Sequence, residues 1–221
     1  MKLFVYCAGG LGKEVFDIAK RVIQAEATWE CLNFIDDNPA LGKSFYGANV
    51  FTFNEFLEKF DLNEVEVVIA NGEPAIRKII YDKVKARGVK LGKVIDPSAI
   101  IADTAKLGEG VIITSYCSVV SDAELGANVV LNCKAIIGHD IKVGAHTVIS
   151  SMVNVGGACV IGESSYVGMG TQIKEGITIG SEAIVGMGSV VYNDVPDEMI
   201  AIGNPARPLR KNVDKRVFKK N

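Results

Sequence analysis

The sequence predicts an α/β domain with a small parallel sheet, followed by a parallel β solenoid. Three observations lead there: strand-like and helix-like segments alternate up to Gly92, a six-residue period then runs unbroken from Val94 to Val195, and a basic, proline-containing end breaks that period. The expected boundaries are 1–92 for the first domain, 93–197 for the solenoid and 198–221 for a C-terminal coil or tail.

The first domain opens with "KLFVYCA", β-branched and aromatic, after which Gly9, Gly10 and Gly12 lead into "KEVFDIAKRVI". There Val15, Ile18, Ala19 and Val22 share one helical face, so the segment reads as a strand, a turn and a helix. Further strands are predicted at "CLNFID" and "VEVVIA". Helices are predicted at "NEFLEKF" and "EPAIRKIIYDKVKARG", the latter stopping at Gly88.

From Val94 the chain divides into seventeen sixes, and the second place of every six is Ile, Leu or Val, from Ile95 to Val191. No amphipathic helix has that period. Glycine often follows, as at Gly108, Gly126, Gly144 and Gly162, and the fifth place is read as commonly small, Ala, Ser, Thr, Cys or Val, where the backbone is expected to turn tightly. Three sixes per turn would give a triangular prism of nearly six coils, each burying its aliphatic residues against the coils above and below.

Composition narrows the function. A formal charge of −2 and a pI near 5.8 argue against nucleic acid as the main partner. Five cysteines without a C-x-x-C pair support neither a zinc site nor a disulfide framework and suit reduced thiols in cytoplasm. No metal is expected, and the apolar run at the amino terminus is too short for a membrane span.

Both histidines, His139 and His146, fall in mid-solenoid. His139 stands where side chains leave the prism and is followed by Asp140. Asn132, on the same coil, is expected to share its neighbourhood. A surface histidine is the plain structural reading, but a neutral imidazole with a pKa near ~6.5 can also accept a proton from an amine or hydroxyl attacking a thioester. A carboxylate beside it would fix the tautomer. His146, the fifth residue of its six, is expected on the surface.

The two-domain grammar, the His-Asp step and the "GNPAR" ending resemble the PglD/NeuD-like nucleotide-sugar acetyltransferases of the hexapeptide-repeat superfamily, over nearly the whole chain. The resemblance implies a Rossmann-like first domain and a left-handed β-helix. It also implies a homotrimer with active sites at subunit boundaries, and acetyl-CoA as co-substrate. His139 becomes the general base with Asp140 as its acid, and Asn132 lies near the sugar amine. The family's second histidine, nine residues after the first, is replaced here by Val148.

The same resemblance puts the pantetheine arm of acetyl-CoA against Gly157 and the two "GMG" steps, Gly168–Gly170 and Gly186–Gly188. Met169 and Met187 are flexible apolar residues suited to an irregular groove. Taken singly, these glycines read equally well as turn residues of the repeat. Arg207 and its basic neighbours could meet the CoA phosphates, or belong to a solvated tail, the reading preferred from Lys215 onward.

Gly9, Gly10 and Gly12 with Asp36 and Asp37 downstream only partly match a dinucleotide fingerprint, because Val15 stands where the third glycine belongs. By resemblance this turn and the Asp pair hold the nucleotide of the sugar donor, whereas by composition "DDNPALG" is also an ordinary solvated turn. The expected activity is direct N-acetylation of a nucleotide-linked amino sugar, a 4-amino-4,6-dideoxy sugar by preference. The alternatives are sugar O-acetylation, a non-catalytic scaffolding solenoid, and a nicotinamide-dependent oxidoreductase.

Overall fold

The computed structural model describes residues 1–218. The first domain contains β1 (Lys2–Tyr6), α1 (Gly10–Glu26), β2 (Cys31–Ile35), β3 (Ser44–Phe45), β4 (Ala48–Phe51), α2 (Phe53–Lys59), β5 (Val65–Ile69), α3 (Pro74–Lys85) and β6 (Lys90–Leu91). Its sheet runs in the order β3-β4-β2-β1-β5-β6 and is parallel except for β3. The short β3–β4 hairpin was not foreseen, since neither strand is long enough to show an alternation.

β1 lies between β2 and β5, so the chain leaves the sheet in opposite directions beyond their carboxyl ends. That opens a crevice between the turn after β1 and the segment after β5. Gly12 belongs to this construction: a Cβ there would overlap the Cys7 carbonyl oxygen, so only glycine lets α1 sit this close to the end of β1. Thr52 and Glu55 form a reciprocal capping box that starts α2.

The second unit is a left-handed parallel β-helix of seventeen two-residue strands, β7 (Val94–Ile95) to β23 (Val190–Val191). Ile112 lies opposite Val130 and Ile113 opposite Leu131, which sets one coil at 18 residues, or three sixes. The second-place aliphatics, among them Ile113, Leu131, Ile137, Ile149 and Val167, form one continuous buried core along the prism axis.

The corners correct one expectation. From Gly110 to Gly188 the backbone turns at the fifth place of each six, which adopts left-handed φ values of 54° to 71° even where it is Tyr116, Lys134, Asp140 or His146. The small residues, Cys117, Ala123, Ala135, Thr147 and Ser165, are at the sixth place and are buried inside the narrow corners. The third-place glycines serve coil stacking: a Cβ on Gly126 would come within 3.1 Å of the Ala145 Cα one coil below.

The chain end is also not coil. β24 (Met199–Gly203) adds a parallel strand below Ile184–Val185, and β25 (Ala206–Lys211) folds back antiparallel on it, extending the first face of the prism. The "GNPAR" sequence is the turn of that hairpin. Beyond it Lys215 pairs with Glu182, and the Val217 and Phe218 amides donate to the Glu73 carboxylate at 2.7 and 3.1 Å. The segment from Lys215 to Phe218 is thus docked on the first domain, because Glu73 would otherwise be a buried carboxylate without donors.

The two units share a core. Outward-facing Val94, Ile112, Val130 and Val148 of the first face pack under α1 with Val15, Ile18, Ala19 and Val22, the face the sequence pattern had marked. Burying each such aliphatic is worth about 1.5–3 kcal/mol. This is also what became of the family's second histidine: Val148 lies inside this apolar junction. Among the described residues no helix is long and apolar enough to cross a membrane.

Candidate active site

His139 stands on the second corner of the prism, two residues after the strand Ile136–Ile137 ends. The left-handed backbone of Asp140 turns its carboxylate back toward the preceding ring, so that Oδ2 lies 2.8 Å from His139 Nδ1. A carboxylate only accepts, so Nδ1 carries the hydrogen and the lone pair belongs to Nε2. Adjacency in sequence left open whether Asp140 could reach; the corner geometry makes it do so.

The imidazole is 64% exposed, and its Nε2 edge sits over Gly157 of the next coil, in the space any side chain there would fill. The Ala158 amide donates to the His139 carbonyl at 2.8 Å, fixing the backbone on which the ring is mounted. The result is an oriented, solvent-accessible base on a rigid corner. Such an arrangement can take a proton from a nucleophile brought to the second corner from outside.

Asn132 is not beside it. It belongs to the first corner, together with Met169 and Met187, which are exposed on lower coils. His139, Asp140 and Gly157 form one group and Asn132, Met169 and Met187 another, separated by a face of the same prism. Asn132 is nonetheless distinctive: its Oδ1 is buried without a hydrogen-bond partner, and the fold makes no use of its amide. Arg207 lies on β25 with Arg210 and Lys211 near it in an exposed basic stretch, and its side chain reaches only its neighbour's carbonyl at 3.4 Å.

The two aspartates expected at a nucleotide stand at the end of β2, Asp36 half-buried and Asp37 exposed, and both accept hydrogen bonds from the first domain. Asp36 accepts from the amides of Ala8 at 2.8 Å and Asn38 at 2.9 Å, tying the glycine turn to the end of β2. Asp37 accepts from Tyr6, Lys83 and the Phe53 amide, each at 2.8 Å. Partial burial raises the Asp37 carboxyl, but these donors outweigh it and hold the group below its ordinary value. Gly9 and Gly10 remain open, with nothing occupying the space above them.

His146 departs from expectation. It is 4% exposed, because α3 covers the third corner. Its Nδ1 accepts from the Asn128 amide at 3.1 Å and its ring meets Tyr81 edge-on at 4.8 Å. Burial, and then the positive charges of Lys78 and Arg77, push its pKa down to about 4, so it is a neutral structural residue.

Arg77 is the junction residue the sequence reading missed. It is 0% exposed and donates to the carbonyls of Ile69, Asn71 and Asn128 and to the Asn128 side chain, and burial lowers its pKa to about 9. A signal was present: Arg77 stands in helical register with Ile80 and Val84, on the apolar stripe of α3. An arginine in such a stripe needs buried acceptors, and the end of β5 together with the third corner supplies them.

The comparisons with known proteins agree with this construction. Residues 2–84 match the family model described as PglD N-terminal domain, and residues 158–193 match that for bacterial transferase hexapeptide (six repeats). The acetyltransferase domain of PglB from Neisseria gonorrhoeae FA1090, solved in complex with acetyl coenzyme A, superposes with a TM-score of 0.88 at 32% identity. That superposition covers 94% of this chain and 98% of that one. PerB from Caulobacter crescentus, in complex with CoA and GDP-perosamine, gives 0.84 at 26% identity over 95% and 98% of the two chains. A GDP-perosamine N-acetyltransferase of Escherichia coli O157:H7 is 30% identical over 117 residues, and the match spans about half of each protein, 52% of either. With both family models in sequence order and a relative matched over almost its full length, the chain belongs to the PglD-like hexapeptide-repeat acetyltransferases.

Proposed function

We propose that this chain transfers the acetyl group of acetyl-CoA directly to the amine of a nucleotide-linked amino sugar, with His139 as general base. The observation that carries the mechanism is the His139–Asp140 pair above Gly157: a fixed tautomer, an accessible Nε2 and no side chain beneath it. The sugar nitrogen attacks the thioester carbonyl while Nε2 takes its proton. Asp140 stabilises the imidazolium so formed, and collapse breaks the C–S bond and returns the proton to the departing CoA thiolate. The relatives named for N-acetylation of GDP-perosamine favour an amine over a hydroxyl as acceptor.

The separation of Asn132 from His139 supports a homotrimer. One prism leaves each corner with half a site, and a neighbour's second corner set against the first would unite His139 and Gly157 with Asn132, Met169 and Met187. Apolar side chains exposed along the second face and first corner, Ile100, Tyr116, Ile136 and Met152, supply the surface for that contact. Acetyl-CoA would lie in the groove between copies, with Arg207 available to its phosphates, and the nucleotide at the open Gly9–Gly10 turn. The five free thiols suit a reducing cytoplasm.

The test is thiol release from acetyl-CoA with a panel of nucleotide sugars bearing free amines or only hydroxyls, using the native chain and His139→Ala. Turnover with an amino sugar, lost in the variant while sedimentation still shows trimers, is the expected result. Turnover with hydroxyl acceptors alone would replace N- by O-acetylation. Full activity of His139→Ala would refute the mechanism.

A further inference from the structure

Between α1 and the first corner of the solenoid lies a cleft of about 300 Å³, with Glu14, Asp17 and Arg21 on the helix wall and Thr114, Ser115 and Ser151 on the wall of successive coils. Several of these groups are committed to the fold. Arg21 is tied to the buried Asp96, which also accepts from the Ser115 hydroxyl at 3.0 Å. Asp17 accepts from the Tyr46 hydroxyl at 2.7 Å.

Two groups are left over, one on each wall. Glu14 is exposed and, among the described residues, has no hydrogen-bond or ion-pair partner. Thr114 is only 4% exposed, yet its Oγ1 has no partner, and Asn132 Oδ1 on the next coil of the same corner shares that condition. Buried hydroxyls are ordinarily bonded, so an orphan lining a cleft points to a ligand that completes it.

The position and chemistry of the cleft select the ligand. Glu14 is one helical turn along α1 from Gly10, and Cys133 on the cleft wall adjoins Asn132, so the cleft lies between the glycine turn and the acceptor amide. Phosphates would be repelled by Glu14 and Asp17. A carboxylate can only accept, and it suits paired hydroxyl donors, whereas a threonine hydroxyl both donates and accepts. A volume of about 300 Å³ is enough for one sugar ring and too small for a whole nucleotide.

We propose that Glu14 and Thr114 determine acceptor specificity by binding, from opposite walls, hydroxyl groups of the sugar ring whose amine is acetylated. The inference rests on the acetyltransferase reading above. With the nucleotide at the glycine turn, the ring fills the cleft and its amine emerges at Asn132, toward the second corner of a neighbouring copy. Thr114 Oγ1 is covered in this structure and would meet the ring after rotation about the Cα–Cβ bond.

Glu14→Gln and Thr114→Val, in the full chain, keep shape and remove the recognised group. Steady-state kinetics would use an accepted nucleotide amino sugar and analogues each lacking one ring hydroxyl, with calorimetric titration of the same sugars. Each variant is expected to lose about tenfold in kcat/KM for the acceptor with the KM for acetyl-CoA unchanged. Removing the contacted hydroxyl should cost the native chain a similar factor and the matching variant almost nothing, a signature that a purely structural residue would not give. Should Thr114→Val fail to fold, the exposed Glu14→Gln carries the test alone. Variants within twofold of the native chain, or analogues that penalise native and variant equally, would overturn the cleft assignment while leaving the acetyltransferase intact. A native chain that neither binds nor acetylates any sugar of the panel would overturn both.

Discussion

Replacing Gly157 by alanine tests the site through a single methyl group. Gly157 has no left-handed φ, so alanine is permitted by the backbone. Its Cβ would, however, lie within 2.9 Å of His139 Cδ2 and nearer still to the Nε2 edge, against an ordinary contact distance of 3.4–4 Å. Neither backbone can yield: the Gly157 carbonyl accepts from the Gly176 amide at 2.9 Å, and the His139 carbonyl is bonded to Ala158. The exposed imidazole must therefore swing away, by about 1 Å, and a misplacement of that size in a reacting group costs on the order of 100-fold in rate. Stability should change by no more than about 0.5 kcal/mol, since the ring moves into solvent. Steady-state kinetics with thermal denaturation would show kcat down about two orders of magnitude and an unchanged melting temperature. A Gly157→Ala chain retaining kcat within threefold would refute the claim that the ring position over Gly157 governs the chemistry.

Asp140→Asn should lower kcat by ~10²–10⁴-fold, because the amide can donate to Nδ1 and reverse the tautomer; isothermal titration with CoA should show unchanged affinity. Arg77→Met should cost about 3–5 kcal/mol in urea unfolding, since it strands the carbonyls of Ile69, Asn71 and Asn128 in the junction. His146, with a folded pKa of about 4 against 6.5 in the unfolded chain, is neutral in the fold while the unfolded state takes up a proton. Stability should thus decline as pH falls from 6.5 toward 4, by up to about 3 kcal/mol, with a smaller decline in His146→Gln on following the denaturation midpoint against pH. Ile136→Asp places a charge on the contact of the proposed trimer, so sedimentation velocity should show monomers and thiol release should be lost, each proposed site lacking the half held by a neighbour.

Much of this protein was legible in the sequence because its periods are local. An aliphatic residue at every second place of seventeen sixes can be buried only in stacked short rungs, and the face of α1 formed by Val15, Ile18, Ala19 and Val22 was marked by helical spacing. The His-Asp step was visible for the same reason, since both partners stand on one corner. What the period could not reveal was which faces of the prism would be covered. His146 and Val148 occupy outward places of the repeat, yet both are buried, because the first domain lies on the first face and third corner.

Tertiary structure alone decided the grouping of the site. Residues seven apart fall on different corners when three faces close in eighteen residues, so Asn132 and His139 are near in sequence and divided in space. It also turned the expected coil into a hairpin, and gave Asp36 and Asp37 hydrogen-bond donors such as Ala8 and Lys83 far along the chain. The sequence by itself determined the rungs, the glycine turn and the His139–Asp140 pair, all set by neighbours within a few residues. The cleft beside Glu14, the Arg77 junction and the division of the site between corners required long-range packing, because each depends on surfaces that meet only after the first domain has closed on the solenoid.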